Sequence, residues 1–396
     1  MRPPLLRYLV KTEDLDMPDN LPESINCSHS NALEFIEDVV RPLEHSLDED
    51  APVPRDLQRR VQEASREAGF FYKTQPAEYG GNPGTQLELT LLRETFAAAN
   101  LRLGAFVFGP TPGLLHSAEG QLKEQYLDPV MRGEKRSAFA FTEPDDAERP
   151  TRATIVGDEL IVNGRKSYVT GGATADFIST LVNLEHEDGS KAGTAMVVID
   201  RLAEGVKIDR EFVSMEGGGH VSMTFENVHV PAWHMIGKPG EGMPRALGII
   251  GNVRLMVSAE ATGICLWVLD FVESHLLAPH RSGIPLGERE GVRLRLADMR
   301  IETYMARSGL YRTARLADTD ANIVNETMAT KVFCSETAGK VVDTAVQLVG
   351  GEALVRGHPL ERLYRRVRSL RLVEGANDLL RLNLVKGKLE LGKGRV

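Results

Sequence analysis

The spacing of apolar residues changes twice along the chain. Between residues 31 and 130 they recur every three or four positions in ALEFIEDVVRPLEHSL, PRDLQRRVQEASREAG and QLELTLLRETFAAANL, which predicts amphipathic helices. Pro and Gly clusters such as PAEYGGNPG separate them. Near residue 137 the period shortens to two. TRATIVGDELIVNGRKSYVTGG predicts strands joined by turns at Gly157-Asp158 and Asn163-Gly164. FISTLVNL, TAMVVID, GVKIDREFV and HVSMTFENVHVP continue the pattern to about residue 231, too rich in hairpin signals for a parallel sheet. After Pro239-Gly240 the helical period returns over 243–278, 291–317, 320–349 and 376–391, predicting an antiparallel bundle. The expected fold is α+β and multidomain: an arm over 1–30, an N-terminal helical domain over 31–136, a middle antiparallel β domain (barrel-like or sandwich) over 137–238 and a C-terminal four-helix bundle over 239–396.

A length of 396 residues agrees with two or three domains. Net charge −9 opposes a nucleic-acid binder, and the short basic cluster Arg362, Arg365, Arg366, Arg368 and Arg371 does not reverse that. Cys27, Cys265 and Cys334 form neither a disulfide framework nor a zinc spacing, which fits a reducing compartment. His229 with His234, and His275 with His280, lack the spacing of metal ligands. No uninterrupted apolar run approaches the roughly 20 residues of a membrane span. The N-terminus turns acidic too early for a signal peptide, so a cytoplasmic protein is expected. Neither GxGxxG nor GxxxxGK[ST] occurs, and GGGH at 217–220 lacks a following helix and reads as a flexible turn. If a nucleotide cofactor binds, it must therefore bind between domains rather than on a glycine-rich phosphate loop.

LVEGANDLLRLN, 372–383, isolates one carboxylate. Gly375 ends the preceding segment and Asn377 or Asp378 can cap the next helix, leaving Glu374 on a short fixed turn. Such a turn suits a reactive group and equally a solvated charge.

Three further segments give this turn a context. EGQLKEQYLDPVMRGEKRSAFAFTEP runs from a helix into the first strand, FENVHVPAWHMIGKPGEGM leaves the last strand, and QLVGG precedes PLERLYRRVRSLRLVEGAND. In this order they resemble the acyl-CoA dehydrogenase family over about residues 35–392, and EGANDLLRL is similar to its very-long-chain members. The resemblance implies FAD between the β domain and the bundle. Phe141 and Thr142 match positions at the flavin pyrimidine edge. Tyr168 matches the aromatic flanking the ring, where a plain strand aromatic is the alternative, and Thr170 the hydroxyl near N5. Arg281 matches an arginine that pairs with the pyrophosphate in a neighbouring subunit, and Gln347, Gly350 and Gly351 match contacts to the adenine half. Asn377 and Asp378 are assigned to the cofactor at the last helix's N-terminus, and Arg254 and Gly375 to the substrate. Glu374 matches the base that removes the α-proton of an acyl thioester while the β-hydride passes to flavin N5, giving a trans-2-enoyl thioester. Its backbone N–H joins a ribityl hydroxyl as oxyanion hole. In relatives with the base elsewhere an acid precedes an arginine; here Val253 precedes Arg254.

An acyl-CoA or other acyl thioester substrate, an electron-transfer flavoprotein or similar acceptor, and a homo-oligomer (dimer or tetramer) follow from the resemblance. Several positions depart from it. Asp145-Asp146-Ala147-Glu148-Arg149 replaces Gly-Ala-Gly-Ser-Asp, which opens the choice of thioester carrier: coenzyme A, an acyl carrier protein or a truncated thioester. HRSGIPLGEREG is short and lacks a phenylalanine, Ala376 replaces Thr, Tyr168 replaces Trp and Arg366 replaces an acid. The alternatives are an acyl-CoA oxidase or flavin monooxygenase on the same scaffold, and a non-catalytic acyl-thioester binder. The monooxygenases generally lack the base.

Overall fold

A computed structural model describes residues 21–47 and 52–392. Most of the expected arm, residues 1–20, lies outside them. Its remainder is helical: α1 spans Glu23–Phe35 and buries Ile25, His29, Ala32 and Phe35, so the apolar period starts before residue 31. A π-helical turn leads to α2 (Arg41–Glu44); α3 (Arg55–Glu67) and α4 (Gln86–Ala98) follow. Thr85 caps α4 through Glu88 N–H at 3.1 Å.

Residues 110–250 form one compact unit. It opens with α5 (Gly120–Leu122) and α6 (Asp128–Met131), two short helices that lead into the sheet. Between them Tyr126 packs edge-on against Phe177 at 4.9 Å and donates to Asp200 at 3.0 Å. The strands are β1 (Ser137–Ala140), β2 (Arg152–Val156), β3 (Glu159–Thr170), β4 (Phe177–His186), β5 (Lys191–Asp200), β6 (Val206–Ser214), β7 (Gly217–Pro231) and β8 (Met235–Ile236). Their order is β6-β7-β3-β2-β4-β5-β8, and β1 also joins β4.

The sheet is antiparallel as expected, except along one edge of β4. β1 and β2 both run parallel to β4, pairing in tandem with Phe177–Thr180 and Asn183–His186. The connecting loop, 141–151, includes Phe141-Thr142 and the acidic DDAER segment. Lys166, 1% exposed, spans that gap by donating to the Phe141 carbonyl at 3.0 Å and to Glu143 Oε1 at 2.6 Å. Glu143 in turn accepts from Thr151 N–H and Oγ1.

Two further turn expectations are replaced. Asn163-Gly164 is a bulge within continuous β3, marked by a register shift against β7, and GGGH begins β7 rather than forming a loose turn. Gly164 has φ 147°, and an added Cβ would lie 2.5 Å from Thr151 Cα, a backbone atom that cannot swing aside. Gly164→Ala is expected to destabilise the protein by about 1–3 kcal/mol, through strain at a positive φ and overpacking. A lower denaturant midpoint than wild type would register it.

The other unit groups the described residues up to 109 with those from 251 on, and within it the N-terminal helices keep a cluster of their own around Phe35, Phe70 and Phe96. The bundle contains α7 (Gly242–Leu277), α8 (Glu290–Ala317), α9 (Val324–Val349), α10 (Pro359–Leu370) and α11 (Asn377–Leu389), α7 beginning in the β unit. Leu87 and Leu91 of α4 and Ile25 of α1 pack in one cluster with Trp267, Leu310, Val342 and Leu363. Asp318, at the end of α8, accepts from the first N–H groups of α4, Gln86 at 2.6 Å and Leu87 at 3.0 Å, satisfying helix-end donors. α7 also has the length of a membrane span and an apolar window of mean hydropathy 1.6, although Arg254, Glu260 and Asp270 interrupt the helix. Of that apolar window 78% is buried in the protein, the pattern of a core helix.

Candidate active site

The turn between α10 and α11 is built around an unusual backbone. Glu374 has φ 55°, left-handed for a residue with a Cβ, and Gly375 follows at φ 98°. Such conformations cost of order 1–3 kcal/mol and persist only where surroundings enforce them. Here the surroundings are two buried cations. Arg254 on α7 donates Nε to the Glu374 carbonyl at 3.2 Å, and Lys331 on α9 donates Nζ to the Gly375 carbonyl at 3.0 Å. Asn377 N–H closes the turn on the Arg371 carbonyl at 3.0 Å.

The Asn377 side chain does not cap α11. The N-cap is Ala376, without a side-chain cap bond. Asn377, 4% exposed, instead accepts from Lys331 Nζ at 2.8 Å and donates to Ser335 Oγ and Glu336 Oε1, both at 3.0 Å. Glu336 is also gripped by Arg371 at 2.7 Å and Arg381 at 3.3 Å, and these contacts outweigh its burial to lower its proton affinity. Asp378, the other predicted cap, faces outward and pairs with Arg381 at 2.8 Å.

Against this tied backbone the Glu374 carboxylate itself is free. It is half-buried and has no hydrogen-bond partner among the described residues. Burial raises its pKa above the ordinary carboxylate value, opposed by the charges of Arg254 and then Lys331. Lys331, fully buried, is pushed down to about 8 by burial first and by Arg254 second, while Glu374 and Glu336 oppose the shift.

In the β unit, the backbone of Phe141 and Thr142 runs beside β3, the strand that carries Tyr168 and Thr170. Ser167 N–H reaches the Thr142 carbonyl at 2.9 Å, alongside the Lys166 bond to the Phe141 carbonyl. A second bulge in β3, between Lys166 and Val169, puts Tyr168 at φ 56° and 66% exposed. Its ring meets Phe212 edge-on at 5.4 Å, and Thr170 Oγ1 lies 3.0 Å from His220 Nδ1. Arg281 lies exposed in the turn after α7, and Gln347 lies exposed on the last turn of α9. Gly350 (φ 86°) and Gly351 have open space where a Cβ would stand.

Sequence signatures of one family match consecutively along the chain. The acyl-CoA dehydrogenase N-terminal domain matches residues 28–134, the middle domain 138–228 and the C-terminal domain 240–389. The chain belongs to the acyl-CoA dehydrogenase family. Among curated relatives, a 3-(aryl)acrylate reductase of Clostridium sporogenes is 28% identical, covering 91% of this chain and 97% of that protein. A short-chain-specific acyl-CoA dehydrogenase of Clostridium acetobutylicum is 27% identical over 90% and 95%. The solved structure of a putative acyl-CoA dehydrogenase from Mycobacterium abscessus superposes with TM-score 0.82 at 26% identity, over 94% of this chain and 100% of that one. Members of this family are flavoproteins.

Within the family, the departures acquire local reasons. Arg366, unexplained by sequence, chelates Glu260 of α7 through Nε at 2.6 Å and Nη2 at 2.7 Å. In the DDAER loop, Arg149 turns to Glu185 at 3.7 Å, while Asp146 is neutralised by Arg165 at 3.1 Å. The cation nearest the acidic pair is therefore Arg165 of β3 rather than Arg149 of the loop itself. The shortened HRSGIPLGEREG segment is tied by Ser282 Oγ, which lies 2.7 Å from His280 Nδ1 and accepts from Arg289 at 2.9 Å. Sequence reasoning missed Lys331 and Lys166. The available signal for Lys331 was its register with the buried positions Thr327, Cys334, Ala338 and Val342 of α9: a charge on an apolar face.

Proposed function

We propose that this protein catalyses α,β-dehydrogenation of an acyl thioester, acyl-CoA to trans-2-enoyl-CoA, with Glu374 as the base. One observation carries the reading: a carboxylate with raised proton affinity and no partner, on a backbone turn fixed by two buried cations. A general base needs an uncommitted oxygen and a fixed location, and this turn supplies both. The left-handed backbone lets the carbonyls of Glu374 and Gly375 point to Arg254 and Lys331 while the side chain stays free. The Glu374 N–H is the donor proposed to polarise the thioester carbonyl.

The residues present fit FAD. An exposed tyrosine held by a bulge offers a flat surface, Arg281 offers a cation to a pyrophosphate, and Gly350-Gly351 leave room for close backbone approach. Tyr168, Thr170, Phe141 and Thr142 would hold the ring portion of one FAD, and Arg281, Gln347, Gly350 and Gly351 the pyrophosphate and adenine half of the FAD bound to a neighbouring subunit. When bound, FAD supplies the hydride acceptor for the substrate β-carbon. Glu374 takes the α-proton, and electrons leave through an electron-transfer flavoprotein. Two relatives, the 3-(aryl)acrylate reductase of C. sporogenes and an acryloyl-CoA reductase of Anaerotignum propionicum, favour a second reading, reduction of a 2-enoyl thioester. Glu374 then returns the proton to the α-carbon as its acid, a role suited to a carboxyl of raised proton affinity.

The test is anaerobic addition of acyl-CoA esters of graded chain length to the purified, FAD-loaded protein. Bleaching of the yellow flavin by at least one ester is expected. A protein that takes up no FAD, or whose flavin neither bleaches with any acyl-CoA nor, once reduced, recolours with any 2-enoyl-CoA, would refute the proposal.

A further inference from the structure

Lys331 is a costly residue for a core position. Its ammonium is fully buried in the bundle, and removing a cation from water costs several kcal/mol unless close partners compensate. A methionine of similar length would fill the same space without that penalty. Both hydrogen bonds of Lys331 go to the segment containing the base: Gly375 carbonyl at 3.0 Å and Asn377 Oδ1 at 2.8 Å. Asn377 is held from behind by Ser335 and Glu336, themselves on α9, so helix and turn are cross-linked at both ends of a three-residue stretch.

Resting on the reading of Glu374 as base, we infer that Lys331 is a positioning residue for it: the ammonium fixes the left-handed turn, and its charge holds the carboxylate ready to ionise. The geometry shows how the two effects combine. Glu374 has a backbone conformation that an unrestrained chain avoids, and removing the Gly375 carbonyl's partner frees the turn to relax. Burial disfavours the ionised base, and only Arg254 and Lys331 among the charges acting on it oppose that penalty. The charges acting on Lys331 are Arg254 from α7, Glu374 from the turn and Glu336 from α9 itself, while α11 contributes the neutral Asn377 amide. The packed helices α8 and α10 add no charge to this set.

The test compares Lys331→Met, Lys331→Gln and Glu374→Gln as FAD-loaded full-length proteins, reading thermal midpoint, acyl-CoA titration and the pH dependence of flavin bleaching. Lys331→Met is expected to slow bleaching by about 10- to 100-fold, as for a small misplacement of a reacting group, with half-saturation by acyl-CoA little changed. Its acid limb is expected at higher pH, because one of two cations favouring ionised Glu374 is gone. Lys331→Gln restores a donor without charge and is expected to recover part of the rate but none of the shift in the limb. A merely structural lysine would lower the thermal midpoint and leave the acid limb in place. Wild-type rate and limb in Lys331→Met overturn the inference. Where Lys331→Met does not fold, an unmoved limb in folded Lys331→Gln overturns it equally. Glu374→Gln separates the two readings: if it bleaches at the wild-type rate, the base assignment is wrong, whatever Lys331 does.

Discussion

Glu374→Gln is expected to slow bleaching of the flavin by acyl-CoA by about 10²–10⁴-fold, the range for removing a general base. The substitution keeps the side chain's size and the backbone bonds from Arg254 and Lys331, which end on carbonyls rather than on the carboxylate. It should therefore leave flavin content and acyl-CoA binding intact. The thermal midpoint gives an independent sign. Folding raises the Glu374 pKa, so at neutral pH the ionised carboxylate opposes folding, and a neutral amide should leave the midpoint no lower. Activity lost together with a lower midpoint would point to unfolding and count against the base. The wild-type pH profile follows from the same shift. The base must be ionised, its proton affinity is raised, and so the rate falls with decreasing pH at values above the ordinary carboxylate range, about 4.3. In Glu374→Gln the residual rate should lose that limb.

What could be read from sequence was what repeats. Helices α3, α4, α8 and α9 declare themselves by apolar spacing, and β4 and β5 by dense β-branched runs. The Glu374 turn could be placed because Gly375 breaks the pattern. The antiparallel sheet was legible from its hairpin signals, but its two parallel pairings were not: β1 has only four residues and meets β4 through a contact distant in sequence. Asn163-Gly164 was misread because the dipeptide that closes a hairpin also serves a bulge, and only the approach of Thr151 distinguishes the two. Asn377 looked like a cap because capping residues are polar, but a buried lysine one helix away offered its side chain a stronger partner. The packing of the N-terminal helices on the bundle depends on contacts such as Asp318 with α4, separated by more than 200 residues. In each case the deciding atom belongs to a distant segment, beyond the reach of local periodicity.

The largest effect on stability is expected at Glu94, which joins α4 to α8. Its buried carboxylate accepts Arg307 Nε and Nη2, each at 3.0 Å, and the Tyr311 hydroxyl at 2.5 Å. The Glu94 side chain is 2% exposed and that of Arg307 13%. Glu94→Ala removes the carboxylate that Arg307 grips through two bonds, and breaking a buried pair from one side costs about 3–5 kcal/mol. The denaturant midpoint should fall accordingly, provided unfolding is followed on this unit, for instance by the fluorescence of Trp267 in its core cluster. The pair need not stabilise the fold in net terms, because both ions were taken from water to form it. Glu94→Leu combined with Arg307→Met should therefore recover most of what Glu94→Ala loses, since no charge remains unpaired. A double variant as unstable as Glu94→Ala would mean that the carboxylate's contact with Tyr311, or the close packing of α4, matters more than the ion pair. Glu94 also acts on the nearby His29 of α1, whose pKa burial lowers and Glu94 partly restores. Glu94→Ala should accordingly lower the His29 pKa further, a shift visible by NMR and absent if the network does not extend to α1.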